Sequence, residues 1–227
     1  MGKSLKLHKM ICWYFSTNSQ QRQKKIQGEC LFDDFSRGRY STDASIYQLM
    51  PIGVVVPKHI DDVEAVLKIA RDEGIPVLPR GSGTSQNGQA IGEALLIDTT
   101  RHLNHVIDFN KESKTACVQP GLVLDHLNRF LKPHGLFYPV DVSTANRATL
   151  GGMTGNNSCG SRSIRYGNMV HNVLSVEAIL ANGSKAHFRR LNGDSGDGIP
   201  EELIQQLLSL GRREADEIKQ RFPDLLR

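Results

Sequence analysis

Short apolar runs alternate with an amphipathic segment in the first half of the chain, and this order is typical of an α/β unit. Residues 53–57 and residues 75–78 predict two buried strands, the first of which ends at a proline. Between them, apolar residues recur at helical spacing, so we expect a helix that Asp61 or Asp62 caps and Gly74 ends. The sequence therefore predicts a strand–helix–strand unit.

Further along, the pattern predicts two hairpins on either side of a helix. Strands are expected at residues 94–98, 106–109, 115–119, 173–180 and 185–188, and a helix at residues 122–131. Pro133 and Gly135 end that helix, and the Asn182-Gly183 pair is a strong signal for a hairpin turn. This order predicts an α+β protein of two α/β lobes, at about residues 46–100 and 101–190, with a ligand between them.

The two ends of the chain have different patterns from the middle. Residues 1–39 are interpreted as an N-terminal arm, and residues 40–190 as the main domain. Residues 191–227 begin with a glycine- and aspartate-rich linker. They continue with an amphipathic helix at residues 201–210 and a second, highly charged helix at residues 212–221. A helix with an apolar stripe at this position is expected to dock on another part of a protein.

Composition and charge narrow the function classes. The chain has 227 residues, of which 39% are hydrophobic and 23% charged, as in a globular protein with one or two layered subdomains. Its net charge of +4 is uneven, because residues 1–28 contain six basic and no acidic residues, which leaves the remainder at −2. No helix-turn-helix or zinc-finger pattern follows this basic segment. We therefore expect no nucleic acid partner.

The N-terminal apolar run and the cysteines exclude further classes. The run at residues 10–15 is too short to span a membrane, and no signal-peptide cleavage pattern follows it. The four cysteines are widely spaced without a C-x-x-C pair, so neither a metal site nor a disulfide framework is predicted. We expect a cytoplasmic protein, with peripheral association to the inner membrane left open.

The first of two glycine-rich segments follows the strand predicted at residues 75–78. It reads Pro79-Arg80-Gly81-Ser82-Gly83-Thr84-Ser85-Gln86-Asn87-Gly88-Gln89. A strand that opens into such a turn is a common anion-binding geometry. The segment lacks the lysine and hydroxyl residue that complete the P-loop of NTPases, and Gln86 stands where the Rossmann fingerprint requires glycine. We therefore expect a pyrophosphate-binding loop of another kind.

The second segment, at residues 143–168, contains five glycines among hydroxyl and amide side chains. Glycine permits φ > 0 and a close approach of the backbone to an anion, and we expect both here. A surface loop is the alternative for one such run, but two runs favour a shared phosphate site. Arg80 and Arg165 are expected to be attracted to the anion, with surface or intramolecular ion pairs as the alternative.

Together the two segments resemble the FAD-binding domain of the vanillyl-alcohol-oxidase/p-cresol-methylhydroxylase (PCMH-type) flavoprotein family. The matching parts, in order, are Gly53-Val54-Val55-Val56-Pro57, the Pro-Arg-Gly-x-Gly-Thr-Ser loop, Gln119-Pro120-Gly121, Pro139-Val140-Asp141, Thr149-Leu150-Gly151-Gly152 and Leu180-Ala181-Asn182-Gly183. Residues 40–51 are most similar to the flavin portion of bacterial FAD-linked D-2-hydroxyacid dehydrogenases, including those fused to an iron–sulfur domain. The resemblance implies a PCMH-type fold of two α/β subdomains with FAD between them.

The resemblance also implies the cofactor contacts. Family members with covalent flavin often have histidine where this chain has Thr84, so non-covalent FAD is implied. The implied contacts of the first segment are Arg80, Gly81, Ser82, Gly83, Thr84, Ser85, Gly88 and Gln89. Those of the second are Ser143, Leu150, Gly151, Gly152, Gly155, Asn156, Asn157, Ser158, Ser161 and Arg165, with Ile164, Tyr166, Gly167 and Val170 toward the adenosine.

The implied activity is oxidation of a D-2-hydroxy acid, of the D-lactate or D-2-hydroxyglutarate type, by hydride transfer to FAD. Electrons would pass to a quinone or an iron–sulfur domain. In the family, the groups that orient the substrate lie mostly in a substrate domain, which we expect to follow the C-terminal helices and which this chain lacks; any iron–sulfur cluster would also lie outside it. No catalytic residue is therefore assigned, and His102, His105, His134 and His171 are interpreted as surface or core residues. A flavin-binding module or truncated fragment without catalysis, and an NADP- or ATP-binding protein, are the alternatives.

Overall fold

The computed structural model describes residues 26–190 and 199–222. The apolar run at residues 10–15, most of the basic N-terminal segment, and most of the linker at the start of residues 191–227 lie outside the described residues. Within the described ranges, helices and short strands are mixed along the chain, which confirms the α+β prediction. None of the helices in those ranges is both long and apolar enough to cross a membrane.

A four-stranded sheet is built from the N-terminal half of the described chain. Its strands are β1 (Glu29–Leu31), β2 (Gly53–Val56), β3 (Val77–Arg80) and β4 (Leu95–Asp98), in the order β1-β2-β4-β3. Strands β2, β4 and β3 are parallel, and β1 pairs with β2 in antiparallel register. All residues of β2 and β4 are buried, as expected for parallel strands covered on both faces.

The sheet begins earlier in the chain than the sequence predicts. Strand β1 and the short helix α1 (Asp34–Arg39) fall within residues 1–39, which were interpreted as an N-terminal arm. Sequence pattern misses β1 because three residues are too few to show a period. Residues 29–39 therefore belong to the folded domain.

Helix α2 (Ile60–Asp72) connects β2 to β3 and packs its apolar face on the sheet. His59 occupies the N-cap, so the predicted cap at Asp61 or Asp62 is wrong by two to three residues. The carboxylate of Asp62 is buried and accepts backbone N–H bonds from Gln27, Gly28 and Lys58 at 2.8–3.0 Å. Asp62 thus joins α2 to the segment that precedes β1. Gly74 ends the helix in the left-handed region, as predicted.

The second half contains two hairpins and a helical layer. The elements are β5 (Val106–Asn110), β6 (Thr115–Val118), α3 (Leu124–Leu131) with a 3₁₀ turn at Lys132–His134, α4 (Leu150–Gly155), α5 (Ser163–Tyr166), α6 (Met169–Asn172), β7 (Ser175–Ile179) and β8 (Lys185–Arg189). Both predicted hairpins are confirmed. The buried residues Leu127, Val140, Met153 and Met169 belong to one hydrophobic core, which holds α3, α4 and α6 together.

The C-terminal part of the described chain consists of helices α7 (Glu201–Arg213) and α8 (Ala215–Arg221), which confirms the two predicted helices. Their apolar side chains are mostly exposed. Ile204 is buried, whereas Leu207, Leu210 and Ile218 are each about half exposed. These helices present an apolar face that the described residues do not cover.

Candidate cofactor site

The segment after β3 presents a run of free backbone donors at the carboxyl end of the parallel sheet. In the described part of the chain, no protein oxygen accepts a hydrogen bond from the backbone N–H groups of residues 81–85. Gly83 and Gly88 adopt positive φ angles of +69° and +76° in this loop. Consecutive free amides in a turn form a concave donor set for an oxyanion. The donor set therefore fits a phosphate or diphosphate group.

Arg80 lies behind this loop and holds it in place. Its side chain is 8% exposed, and its guanidinium donates to the carbonyl oxygens of Tyr40, Thr42 and Ala90 at 2.8–3.1 Å. A Cβ on Gly83 would lie 2.5 Å from Arg80 Nη2. Glycine is therefore needed at this position both because there is no room for a side chain and because φ is positive. Arg80 was predicted to be attracted to the anion directly. Its observed bonds favour a supporting role for the guanidinium.

A second buried network extends from Arg80 to the end of β4. The Tyr40 hydroxyl donates to Asp98 Oδ2 at 2.7 Å, and Asp98 Oδ1 accepts from Thr100 N and Oγ1 at 2.8 and 2.7 Å. Burial, and secondly the hydrogen bond to Asp98, raise the pKa of Tyr40 to about 12. Sequence reasoning missed this network. An aspartate that directly ends an apolar strand was the available signal for it.

The second glycine-rich segment is partly helical. Helix α4 begins after Thr149, whose Oγ1 accepts from Gly152 N at 3.4 Å. Gly151, Gly152 and Gly155 are helical residues, so the expected φ > 0 is wrong for them. Gly151 is instead packed against protein, because a Cβ there would lie 2.6 Å from Pro120 Cβ. The need for glycine at this position therefore comes from packing between the segment and the loop before α3.

The two segments meet in space although 67 positions separate the contacting residues Gln89 and Asn156 in sequence. A Cβ on Gly81 would lie closer than 3.0 Å to Thr149 Oγ1, so the loop after β3 packs directly against the start of α4. At the other end, Gln89 Nε2 donates to Asn156 Oδ1 at 3.1 Å, and Ser85 Oγ donates to Gln89 Oε1. The loop after β3 and the two ends of α4 therefore form the two sides of one cleft.

Other predicted contacts lie farther along the second segment. Ser161 Oγ donates to Asp141 Oδ2 at 2.7 Å, and Asn157 Oδ1 accepts from Val170 N at 3.0 Å. Bonds from Arg162 N and Ser161 hold the pKa of Asp141 below its usual value. Asp141 fixes this part of the backbone, and sequence reasoning did not include it among the site residues. The remaining contacts predicted in this segment are Ser143, which is exposed, and Leu150, which is buried in the core.

The residues predicted for the adenosine end are on the surface. Ile164 is 93% exposed and Val170 is 65% exposed. Arg165 is exposed and lies 5.5 Å from the ring of Tyr166. Gly167 adopts a φ of +78°. No hydrogen bond within the described ranges joins residues 164–170 to the loop after β3. The structure thus brings the loop after β3 next to α4, whereas the residues predicted to lie toward the adenosine form an open, partly apolar surface.

A cavity of about 310 Å³ lies at the end of the cleft where Gly81 meets Thr149. Its lining residues are Arg39, Tyr40, Arg80, Gly81, Ser82, Asp98, Thr100, Val123, Arg147 and Thr149. It is therefore formed by both halves of the fold. Among the described residues, the lining includes none of the histidines considered from sequence. His105 lies 3.1 Å from Gln119 Oε1, His134 packs on a phenylalanine ring, and His171 accepts from a backbone amide.

Comparison with known proteins agrees with this geometry. A family model described as FAD binding domain matches residues 51–189. D-2-hydroxyglutarate dehydrogenase of Haemophilus influenzae is 39% identical over 161 residues, which cover 70% of this chain and 16% of that protein. The enzyme of the same name from Pseudomonas putida is 34% identical over 215 residues, which cover 91% of this chain and 21% of that protein. The chain thus spans about a fifth of the length of these relatives.

A solved structure supports the fold. The crystal structure of 6-hydroxy-D-nicotine oxidase from Arthrobacter nicotinovorans superimposes with a TM-score of 0.64 and 20% sequence identity, covering 72% of this chain and 36% of that chain. Two glycine-rich segments that meet in one cleft, the parallel sheet that positions the first of them, and the family match over residues 51–189 lead to one assignment. This chain belongs to the FAD-binding domain family of PCMH-type flavoproteins.

Proposed function

We propose that this chain is the FAD-binding portion of a flavin-dependent oxidoreductase that oxidises a D-2-hydroxy acid to the corresponding 2-oxo acid. D-2-hydroxyglutarate and D-lactate are the proposed substrate types, because relatives that match most of the chain carry the names of D-2-hydroxyglutarate and D-lactate dehydrogenases. The observation that carries the proposal is the run of free backbone amides at residues 81–85, opposite the start of α4.

These amides would hold the diphosphate of FAD. Gly81, Ser82, Gly83, Thr84 and Ser85 provide five N–H donors without a protein acceptor in the described ranges. Thr84 and Ser85 add hydroxyl groups on the same loop. Asn156 and Ser158 border the cleft on its other side. We propose that Thr84, which has no ring nitrogen to attach a flavin methyl group, leaves the cofactor non-covalently bound. The flavin ring, when bound, accepts the hydride.

Substrate handling would require a further domain. The relatives are about five times as long as their match to this chain, and the half-exposed leucines of α7 offer an apolar face on which such a domain would pack. The electron acceptor, a quinone or an iron–sulfur domain, belongs to the same proposal. Within this chain, the proposed roles of the residues are to bind the cofactor and to exclude water from its diphosphate.

An absorption spectrum tests the cofactor proposal directly. The purified chain is mixed with FAD, desalted, scanned from 300 to 550 nm and then precipitated with acid. We expect retained flavin bands that move to the supernatant, which is the result for a non-covalent flavoprotein. Flavin in the pellet would contradict the interpretation of Thr84. Retention of NADP or ATP in place of flavin, seen as a thermal shift with those nucleotides alone, would contradict the whole proposal.

A further inference from the structure

The cavity at the Gly81 end of the cleft carries positive charge that the protein does not neutralise. Three arginines and one aspartate line it, which leaves a net charge of +2. The oxygens of Asp98 already accept three hydrogen bonds, from Tyr40 and Thr100. Arg80 already donates to three carbonyl oxygens. The charge that remains available belongs to Arg39 and Arg147.

Arg39 and Arg147 reach this cavity from different halves of the fold. Arg39 is the last residue of α1, and Arg147 precedes the N-cap of α4 by two residues. In the described part of the chain, neither guanidinium has a carboxylate within 4.0 Å or a hydrogen-bond acceptor. Two like charges repel each other, so their placement around one cavity costs free energy unless an anion is bound.

Neutral donors complete the same cavity. The backbone N–H groups of Gly81 and Ser82 have no protein acceptor in the described ranges, and both residues line the cavity. Thr149 Oγ1 accepts from Gly152 N, which leaves its own hydrogen free to donate. Guanidinium groups and backbone amides together are the donors that bind phosphate oxygens most strongly in proteins.

We propose that Arg39 and Arg147, with the amides of Gly81 and Ser82, form a binding site for a doubly charged phosphate-class anion. The +2 charge of the lining matches such a group. Two sources have this chemistry. One is the diphosphate of FAD, and this alternative rests on the proposed function. The other is a free phosphate compound bound beside the cofactor.

The test compares wild type with Arg39→Gln, Arg147→Gln and the double variant. Arg129→Gln is the matched control, because Arg129 is an exposed arginine that does not line the cavity. Dissociation constants are measured for FAD and for riboflavin, which lacks phosphate, by flavin fluorescence, and for inorganic pyrophosphate by calorimetry. All three arginines are exposed, so circular dichroism melting curves should be unchanged and would confirm that the variants fold.

If the diphosphate of FAD is the anion, each variant weakens FAD binding by about 10-fold to 100-fold, the usual effect of losing a charged hydrogen bond. Riboflavin binding stays unchanged, and pyrophosphate competes with FAD. If a free anion is bound, pyrophosphate binds to the FAD-saturated chain and loses affinity in the variants. Equal constants for all ligands in wild type and the double variant would overturn the inference.

The two proposals fail separately in this design. A wild-type chain that binds both FAD and pyrophosphate with the same affinities as the double variant would refute the arginine site and leave FAD binding intact. A chain that retains no FAD, but binds pyrophosphate only when both arginines are present, would refute the proposed function and leave the anion site intact. Added salt should weaken the interaction in wild type more than in the double variant, because screening acts on the ionic contacts.

Discussion

The contact between Gly81 and Thr149 allows a quantitative test of how the two glycine-rich segments depend on each other. Gly81 does not have a positive φ, so alanine is compatible with its backbone. A Cβ there would lie closer than 3.0 Å to Thr149 Oγ1, whereas the Cβ and Cγ2 of Thr149 would be at 3.5 and 3.6 Å. The only severe clash in Gly81→Ala is therefore with one hydroxyl oxygen.

That hydroxyl cannot move without loss. Thr149 is 2% exposed, and its Oγ1 caps α4. Overpacking a buried contact costs about 1–3 kcal/mol, so we expect Gly81→Ala to lower the free energy of unfolding by about 2 kcal/mol. Thr149→Ala should cost about 1 kcal/mol through the lost cap. In the Thr149→Ala background, Gly81→Ala should cost less than about 0.5 kcal/mol, because the clashing oxygen is gone.

Urea unfolding followed by circular dichroism at 222 nm measures these values. Thr149→Val provides the contrast, since it keeps an atom in place of Oγ1 and should leave the full cost of Gly81→Ala. Gly155→Ala is the control for adding a methyl group in α4, because a Cβ at Gly155 would meet nothing within 4 Å. Equal costs of Gly81→Ala in the wild-type and Thr149→Ala backgrounds would refute the proposed contact.

Three other outcomes follow from the site. Arg80→Met removes the donors to three partly buried carbonyl oxygens and should destabilise the protein by about 3 kcal/mol in the same urea assay; a change within the error of wild type would contradict the supporting role of Arg80. The pKa of Tyr40 is raised to about 12 from 10.0. The contribution of its protonated hydroxyl to the free energy of unfolding is therefore complete below pH 10 and is lost as the pH rises toward 12. Tyr40→Phe should therefore reduce the fall in the free energy of unfolding over that interval, and an unchanged pH profile would show that folding does not raise the pKa of Tyr40. Thr84→Ala should weaken FAD binding by about 0.5–1.5 kcal/mol in a fluorescence titration; an unchanged dissociation constant would remove Thr84 from the contacts.

Much of the fold could be predicted because many helices, strands and turns are specified by the residues within each element. The apolar run of β2, the helical spacing in α2 and the Asn182-Gly183 turn each specify one element with no reference to distant residues. The loop after β3 was also recognisable, because its glycines and hydroxyl residues directly follow an apolar strand. Local chemistry was thus sufficient for the elements and for one wall of the cleft.

The rest depends on contacts between segments that sequence spacing does not reveal. The sequence suggests that Arg80 binds phosphate, because arginine is a common phosphate ligand. In the structure its guanidinium donates instead to the carbonyl oxygens of three residues from other parts of the chain. The sequence suggests a flexible backbone at Gly151, but this residue is helical. Glycine is needed there because Pro120 leaves no room for a Cβ. Sequence spacing does not relate Arg147 to Asp98, and only the folded chain places both at the same cavity.

The carboxylate of Asp62 determines where this domain can be shortened. Three of its hydrogen bonds go to the amides of Gln27, Gly28 and Lys58, so two of them come from residues before β1. A chain begun at residue 40 would leave a buried negative charge without those two donors and would remove β1 from the edge of β2. The apolar edge of β2 would then be open to pairing with other molecules. For expression and crystallisation, the natural boundary of the domain therefore lies before Gln27.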